Sequence, residues 1–119
     1  MKIVFVVDDS DTNLLKAGEA LEDQYRVLTM PSATKMFTLL EKITPDLILL
    51  DIEMPEMGGF EAIQRLKSPD SPAAAIPVIF LTGHSDAAMQ TQGRDLGAVD
   101  FVAKPFTAPE LLERVGRYV

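Results

Sequence analysis

The 119-residue sequence contains no cysteine, and this absence excludes several kinds of chemistry at once. A chain without thiols forms no disulfides, has no thiolate nucleophile and binds no zinc through cysteine. No apolar stretch is long enough to span a bilayer, and Met1-Lys-Ile-Val begins a strand-like run directly, with no signal peptide ahead of it. We therefore expect a cytoplasmic protein without membrane contact.

Basic residues are also scarce, with 11 Lys and Arg against 18 Asp and Glu, which gives a net charge of −7. Nucleic-acid-binding domains usually carry a basic patch that neutralises phosphates. The charge therefore argues against direct binding of DNA or RNA. A chain of this length buries about two-thirds of its unfolded surface, which is enough for one core. We predict a single domain over residues 1–119.

Strand and helix signals alternate along the whole chain. Continuous apolar runs at residues 3–7, 47–50 and 78–81 are typical of strands buried on both faces. Arg26–Met30 and Val99–Ala103 complete five strands, each followed by apolar residues at helical spacing. Such units require long right-handed crossovers between parallel strands. We predict an α/β, flavodoxin-like doubly wound (βα)5 fold, with a five-stranded parallel sheet in the order 2-1-3-4-5 and helices on both faces.

Local signals indicate where several helices begin and end. Ser10 or Asp11 is a suitable N-cap for the first helix, whose apolar spacing extends to Tyr25. Thr107-x-x-Glu110 is a capping-box pattern that opens the last helix. The segment 68–77 contains three prolines and is predicted to be a connector.

A polar residue follows each of four predicted strands. They are Asp8 with Asp9, Asp51, Thr82 and Lys104. The carboxyl ends of parallel strands meet at one edge of the sheet, where open α/β folds bind ligands, and the predicted order places Asp8 and Asp9 beside Asp51. Three carboxylates, a hydroxyl and an ammonium at one place suit a divalent metal ion and a phosphoryl group.

These residues, with their neighbours, resemble a known family. The motifs are Asp8-Asp9, Asp51-Ile-Glu-Met-Pro55 with Gly59, Thr82-Gly83 and Lys104-Pro105-Phe106. Together they resemble the receiver domain of bacterial two-component response regulators, from Lys2 to about Tyr118. The resemblance implies that Asp51 accepts a phosphoryl group from a phosphohistidine on a sensor histidine kinase or a histidine phosphotransfer protein. The expected role is that of a signalling phosphoacceptor that assists its own phosphorylation and dephosphorylation, rather than an enzyme.

The crowded carboxylates require a cation, because mutual repulsion would otherwise push at least one of them towards protonation. Mg²⁺ prefers hard oxygen ligands and usually keeps several waters, and Mn²⁺ would substitute for it. Asp9 and Asp51 would bind the ion directly, while Asp8 would hold a coordinated water. The resemblance adds the backbone carbonyl of Glu53 as a ligand.

The resemblance also assigns roles in switching. Lys104 would contact the phosphoryl oxygens, and Thr82 would donate its hydroxyl to one of them. Phe101 stands where the family commonly has tyrosine, and the resemblance implies that its ring turns from solvent into space vacated by Thr82. Phosphorylation would then alter the surface of the fourth helix, fifth strand and fifth helix. The Lys104–Pro105 peptide bond is expected to be cis, which proline makes possible at a cost of about 1 kcal/mol.

Each residue also has an interpretation without function. Asp8-Asp9 would serve as a helix cap, Asp51 as a turn former, and Thr82 and Lys104 singly as a turn hydroxyl and a solvated lysine. Their joint placement at the ends of neighbouring strands favours a metal and phosphoryl site over these separate interpretations. Glu53 and His84 occupy variable positions that would tune the lifetime of the phosphate, although a lone histidine is more often an exposed loop residue.

Other classes of function fit less well. A flavodoxin-like cofactor binder needs a phosphate-cradling loop after the first strand, where this chain has Asp8-Asp9-Ser-Asp11. A haloacid-dehalogenase-type phosphatase has its nucleophile in an Asp-x-Asp pattern after the first strand. A degenerate receiver that acts only as a binding platform would not retain every phosphorylation residue.

The motifs do not indicate which protein or domain the receiver would control. The chain would be a stand-alone receiver that docks to an unknown partner, or the receiver of a multidomain regulator, hybrid histidine kinase or phosphorelay whose output domain lies elsewhere. A phosphorylation-dependent homodimer through the fourth and fifth helices is an open alternative.

Overall fold

Five strands alternate with five helices in the computed structural model, which describes residues 1–83 and 86–119. The strands are β1 (Ile3–Val7), β2 (Arg26–Met30), β3 (Leu47–Asp51), β4 (Val78–Thr82) and β5 (Asp100–Ala103). The helices are α1 (Asp11–Leu21), α2 (Ala33–Leu40), α3 (Gly59–Leu66), α4 (Ala87–Asp95) and α5 (Ala108–Gly116). None of the described helices is long and apolar enough to cross a membrane.

The strands form one parallel sheet in the order β2-β1-β3-β4-β5, which confirms the predicted topology. Register aligns the carboxyl ends of the central strands: Val7 is opposite Leu50, and Asp51 is opposite Leu81. All residues of β3 and β4 are buried, as expected for strands covered on both faces. The residues that end or follow these strands therefore share one edge of the sheet.

The core lies in two layers because successive strand residues point to opposite faces. One layer contains Phe5, Ile48 and Phe80 and packs against α2, α3 and α4. The other contains Val6, Leu49 and other strand residues and packs against α1 and α5. Full burial of each large apolar side chain contributes about 1.5–3 kcal/mol, so these layers supply the main stabilisation of the sheet.

The helix termini follow the predicted local signals. Ser10 caps α1 by accepting a hydrogen bond from the amide of Asn13, and Thr107 caps α5 by accepting one from the amide of Glu110. Helix α1 ends at Leu21, earlier than the apolar spacing indicates, although the amide of Tyr25 still donates to the Leu21 carbonyl across a turn. Apolar spacing continued there because Tyr25 packs on the same core layer from outside the helix.

The predicted connector contains neither helix nor strand, and a partly buried lysine binds the backbone of its second half. The Lys67 ammonium donates to the carbonyl oxygens of Ala74 and Ile76 at 3.0 and 2.5 Å. Desolvation by burial lowers the pKa of Lys67. This contact ties the end of α3 to the start of β4.

Candidate functional site

The predicted polar residues meet at the carboxyl edge of the sheet. Asp8 follows β1, Asp51 ends β3, Thr82 ends β4 and Lys104 follows β5. Asp8, Asp51 and Thr82 are almost completely buried, whereas Asp9 is exposed. The cluster is therefore reached from solvent on the side of Asp9.

Three carboxylates form a group that fits a divalent metal ion. Asp8, Asp9 and Asp51 each offer one oxygen, and these oxygens lie within 4.8 Å of one another. Carboxylate oxygens are the ligands that Mg²⁺ prefers. Two of the three residues are buried, so a cation would relieve a charge repulsion that water alone screens poorly.

The Asp8 carboxylate is fixed by the start of α1. The Ser10 amide donates to Asp8 Oδ1 at 2.9 Å, and the Asn13 side-chain amide donates to Asp8 Oδ2 at 3.3 Å. Asn13 was not among the site residues predicted from the sequence. The sequence offered one indication of this role: Asn13 is a polar residue in the first turn of the helix that follows Asp8-Asp9.

Lys104 supplies the positive charge of the cluster. Its ammonium lies 3.0 Å from Asp51 Oδ1 and 3.4 Å from Asp8 Oδ2. Burial lowers the pKa of Lys104, but the hydrogen bond and charge of Asp51, together with Asp8, raise that pKa above its usual value overall. Lys104 is therefore a fixed cation at this site.

The two carboxylate oxygens of Asp51 have different surroundings. Oδ1 accepts hydrogen bonds from Lys104 and from the Glu53 amide at 3.2 Å. Oδ2 is buried and has no hydrogen-bond partner among the described residues. Burial raises the pKa of Asp51 to about 6, with Lys104 opposing and Asp8 adding to the shift. Because buried polar atoms nearly always have partners, Oδ2 marks a position built for a ligand or a reaction.

Gly59 allows the loop after β3 to close around Asp51. A Cβ atom at this position would lie 2.5 Å from the Asp51 carbonyl oxygen and 2.8 Å from Ile52 Cα. The Gly59 amide donates to the Ile52 carbonyl at 2.8 Å. The motif contained this glycine, but only the structure shows that it is required for close backbone approach.

Thr82 and Phe101 lie on neighbouring strands towards α4. Both line a groove of about 300 Å³ that also borders Arg94 and Arg114. Phe101 is 6% exposed in this structure, and its ring centroid lies 5.6 Å from that of Phe80. The Lys104 amide donates to the Thr82 carbonyl at 2.8 Å, which links the last two strands beyond their ladder.

The remaining predicted residues are more peripheral. The side chain of Glu53 is exposed beside the carboxylates. The Lys104–Pro105 peptide bond is cis. His84 lies outside the described residues, so its predicted tuning role stays a prediction.

A second charged cluster, which was not predicted from the sequence, surrounds Asp100 on β5. The buried Asp100 carboxylate accepts hydrogen bonds from Arg114 at 3.2 Å and from the Tyr118 hydroxyl at 3.0 Å. Arg94 and Arg117 approach it at 3.8 and 4.0 Å. The only signal in the sequence was a single aspartate inside the apolar run of β5.

Comparisons with known proteins agree with this geometry. Residues 4–116 match the sequence profile of the response regulator receiver domain. The chain is 33% identical to Protein PilH of Pseudomonas aeruginosa over 97% of this chain and 95% of that protein. Its fold superposes on the chemotaxis protein CheY4 of Vibrio cholerae with a TM-score of 0.94 at 28% identity, covering 100% of this chain and 99% of that one.

Other relatives are much longer than this chain. It is 41% identical to a probable cyclic di-GMP phosphodiesterase of Vibrio cholerae over 94% of its own length but only 25% of that protein. It covers 18% of Protein RcaC of Microchaete diplosiphon at 33% identity over 96% of its own length. The shared part is thus one module within those proteins.

Proposed function

Because this chain belongs to the family of response regulator receiver domains, we propose that Asp51 accepts a phosphoryl group from a phosphohistidine. The Asp51 carboxylate oxygen attacks phosphorus, the P–N bond to the histidine breaks, and the bonding pair stays with the imidazole nitrogen. The observation that carries the proposal is the Asp51 carboxylate, with Oδ1 held by Lys104 and Oδ2 buried without a partner among the described residues.

Lys104 would stabilise the charge of the transferred group. Its ammonium lies 3.0 Å from Asp51 Oδ1, so it would also lie close to a phosphoryl group carried by this carboxylate. A fixed cation of this kind stabilises developing charge without reorganising during the reaction. The Thr82 hydroxyl, at the end of the adjacent strand, is proposed to donate to a phosphoryl oxygen.

The acidic cluster would hold Mg²⁺, or Mn²⁺ in its place. We assign direct coordination to Asp9, Asp51 and the backbone carbonyl of Glu53, and the positioning of a coordinated water to Asp8. When bound, the ion neutralises charge on the carboxylates and on the incoming phosphoryl oxygens. Ser10 and Asn13 keep the Asp8 carboxylate in one orientation for this purpose.

The phosphodonor is proposed to be a histidine kinase or a histidine phosphotransfer protein that docks on α1. Leu15 on this helix is 64% exposed and borders a groove with Gly18 and Glu22. Helix α1 begins two residues after Asp9, so a partner docked on it would lie near the acidic cluster. Leu15→Ala should slow transfer from autophosphorylated histidine kinases tested as a panel, while phosphorylation by acetyl phosphate stays unchanged.

The output is proposed to use the face formed by α4, β5 and α5, on which Thr82 and Phe101 border a common groove. The exposed Glu53, with His84, would set the lifetime of the phosphate by its position near the attacking water. Two forms of output are proposed as alternatives. Some relatives contain this module within a longer protein, which favours a linked output domain. Protein PilH is similar over nearly its full length, which favours docking to a separate partner.

Intact-mass spectrometry after incubation with acetyl phosphate and Mg²⁺ tests the proposal directly. Wild-type protein should gain the mass of one phosphoryl group, and Asp51→Asn should not. Omission of Mg²⁺, with EDTA present, should remove the gain. Equal spectra for wild type and Asp51→Asn would overturn the assignment and favour a receiver that acts only as a binding platform.

A further inference from the structure

The Phe101 ring packs against an aromatic ring on β4 and against the backbone of α4. Its centroid lies 5.6 Å from that of Phe80, whose own ring packs edge-on against Phe60 at 5.4 Å. These three rings connect β5 through β4 to α3. Phe101 is thus the last member of a continuous aromatic row inside one core layer.

Gly93 provides the space that the ring fills. A Cβ atom at Gly93 would lie 2.5 Å from Phe101 Cζ, closer than real Cβ atoms approach, and a tight 3.2 Å from Phe80 Cδ2. Gly93 sits within α4, and its backbone is not in the left-handed region, unlike Gly97 with φ +116°. Glycine weakens a helix interior relative to alanine, so its presence here is explained by space for the ring and not by backbone conformation.

Arg94 covers the same ring from the solvent side. Its guanidinium carbon lies 5.5 Å from the Phe101 centroid, within the range of a cation–π contact. The guanidinium is anchored by a hydrogen bond to the Val99 carbonyl at 3.2 Å and lies 3.8 Å from Asp100 Oδ1. The ring therefore lies against the bare backbone of Gly93 on one side and under the Arg94 guanidinium on another.

We propose that Gly93 and Arg94 are positioning residues that keep the Phe101 ring against Phe80 whether or not Asp51 is phosphorylated. Among the described residues, the ring contacts α4 and the neighbouring ring on β4, and these contacts involve neither Asp51 nor Lys104. This refines the expectation from the family resemblance that the aromatic ring turns inward on phosphorylation. A change at Thr82 would then affect α4 without a movement of the Phe101 ring.

Aromatic ¹³C–¹H NMR of phenylalanine-labelled protein tests the proposal, with the Phe101 signals assigned from Phe101→Leu. The readouts are the nuclear Overhauser effect between the Phe101 ring protons and the α-protons of residue 93, and broadening of the ring signals by a soluble nitroxide. In wild type, the Overhauser effect should be present and the broadening weak, both before and after addition of beryllofluoride and Mg²⁺. A ring that is exposed before this addition and protected after it would overturn the proposal.

Variants separate the proposed roles from general packing. Gly93→Ala should lose the Overhauser effect and gain nitroxide broadening of the Phe101 ring without phosphorylation. The matched control is Gly18→Ala in α1, where a Cβ would meet nothing within 4 Å, and its Phe101 signals should match wild type. A Gly93→Ala ring as protected as the wild-type ring would refute the role of Gly93.

Arg94 is tested without disturbing Gly93. Arg94→Ala should increase broadening of the ring, and Arg94→Lys, which restores a cation over it, should recover protection. Equal broadening in Arg94→Ala and wild type would refute the role of Arg94. If Gly93→Ala does not fold, the proposal is still tested by wild type before and after addition of beryllofluoride and by the Arg94 variants.

The prediction that the ring stays in place when Asp51 is phosphorylated rests on the proposed function, and the two can fail separately. If acetyl phosphate adds no mass to Asp51, the proposed function fails, while the behaviour of the ring in the unmodified variants still tests Gly93 and Arg94. If Asp51 is phosphorylated and the ring moves inward only then, the proposed function stands and this inference fails.

Discussion

The Lys104 ammonium lies 3.0 Å from one oxygen of Asp51 and leaves the other oxygen of that carboxylate without a hydrogen-bond partner in the described part of the chain. One oxygen is thus electrostatically fixed, and the other is buried without a hydrogen bond from the described residues. The strands explain this asymmetry: Asp51 ends β3 and Lys104 follows β5, with β4 between them. The long lysine side chain spans that intervening strand.

Removal of the Lys104 charge should slow phosphorylation while the protein still folds. Lys104→Met keeps much of the apolar stem but no longer stabilises charge at Asp51, so we expect the rate with acetyl phosphate to fall about 100-fold, typical for loss of one preorganised donor. Intact mass against time measures the rate. Lys42→Met, on an exposed surface, is the control and should react like wild type. Similar rates for both variants would contradict the role of Lys104.

Neutralisation of Asp8 should weaken metal binding. Asp8→Asn retains the size of the side chain but loses the charge that would orient a coordinated water, so the Kd for Mg²⁺ should rise about 10- to 100-fold. Isothermal titration calorimetry measures this constant. Asp70→Asn changes an exposed connector residue by the same single charge and should leave the Kd unchanged. A rise of equal size in both variants would indicate only a general electrostatic effect.

The raised pKa of Asp51 predicts a pH-dependent loss of stability in the metal-free protein. Burial raises this pKa from 3.8 to about 6, so the native state binds more protons than the unfolded state within that window. The free energy of unfolding should therefore fall as pH rises through it and level off above it. The total loss is at most about 3 kcal/mol, because a tenfold change in proton affinity corresponds to about 1.4 kcal/mol.

The contribution of Asp51 is isolated by comparison with Asp51→Asn. Urea unfolding of both proteins in EDTA, from about pH 4 to pH 7, gives the difference in stability at each pH. Asp51→Asn should gain stability relative to wild type as pH rises, because the amide has no charge to desolvate. A difference that does not change with pH would show that Asp51 ionises normally.

Gly59 should tolerate no side chain. In Gly59→Ala, the added Cβ would lie 2.5 Å from the Asp51 carbonyl oxygen, so the backbone must shift at a cost of about 1–3 kcal/mol. Gly18→Ala adds the same methyl group where nothing lies within 4 Å, and it should stabilise α1 by about 0.5–1 kcal/mol. Urea unfolding measures both. Stabilisation in both variants would exclude the close approach at Gly59.

The fold and the acidic cluster could be predicted because their signals are local in sequence. The buried runs that end in Asp8 and Asp51 identify parallel strands, and the position of a residue at a strand end determines which edge it occupies. Asn13 and Asp100 were not predicted because their contacts depend on side-chain direction. The Asp100 carboxylate meets Arg114 and Tyr118 across the gap between β5 and α5, and no sequence pattern encodes that pairing.

Arg94 also connects two internal contacts that a binding partner would have to interrupt together. Its guanidinium lies over the Phe101 ring and also near the Asp100 carboxylate. An acidic partner group that recruited this guanidinium would uncover the ring and remove a neighbour from a buried charge in the same step. Displacement of Arg94 would therefore cost both contacts at once, and an apolar group on the partner would be needed to cover the ring again.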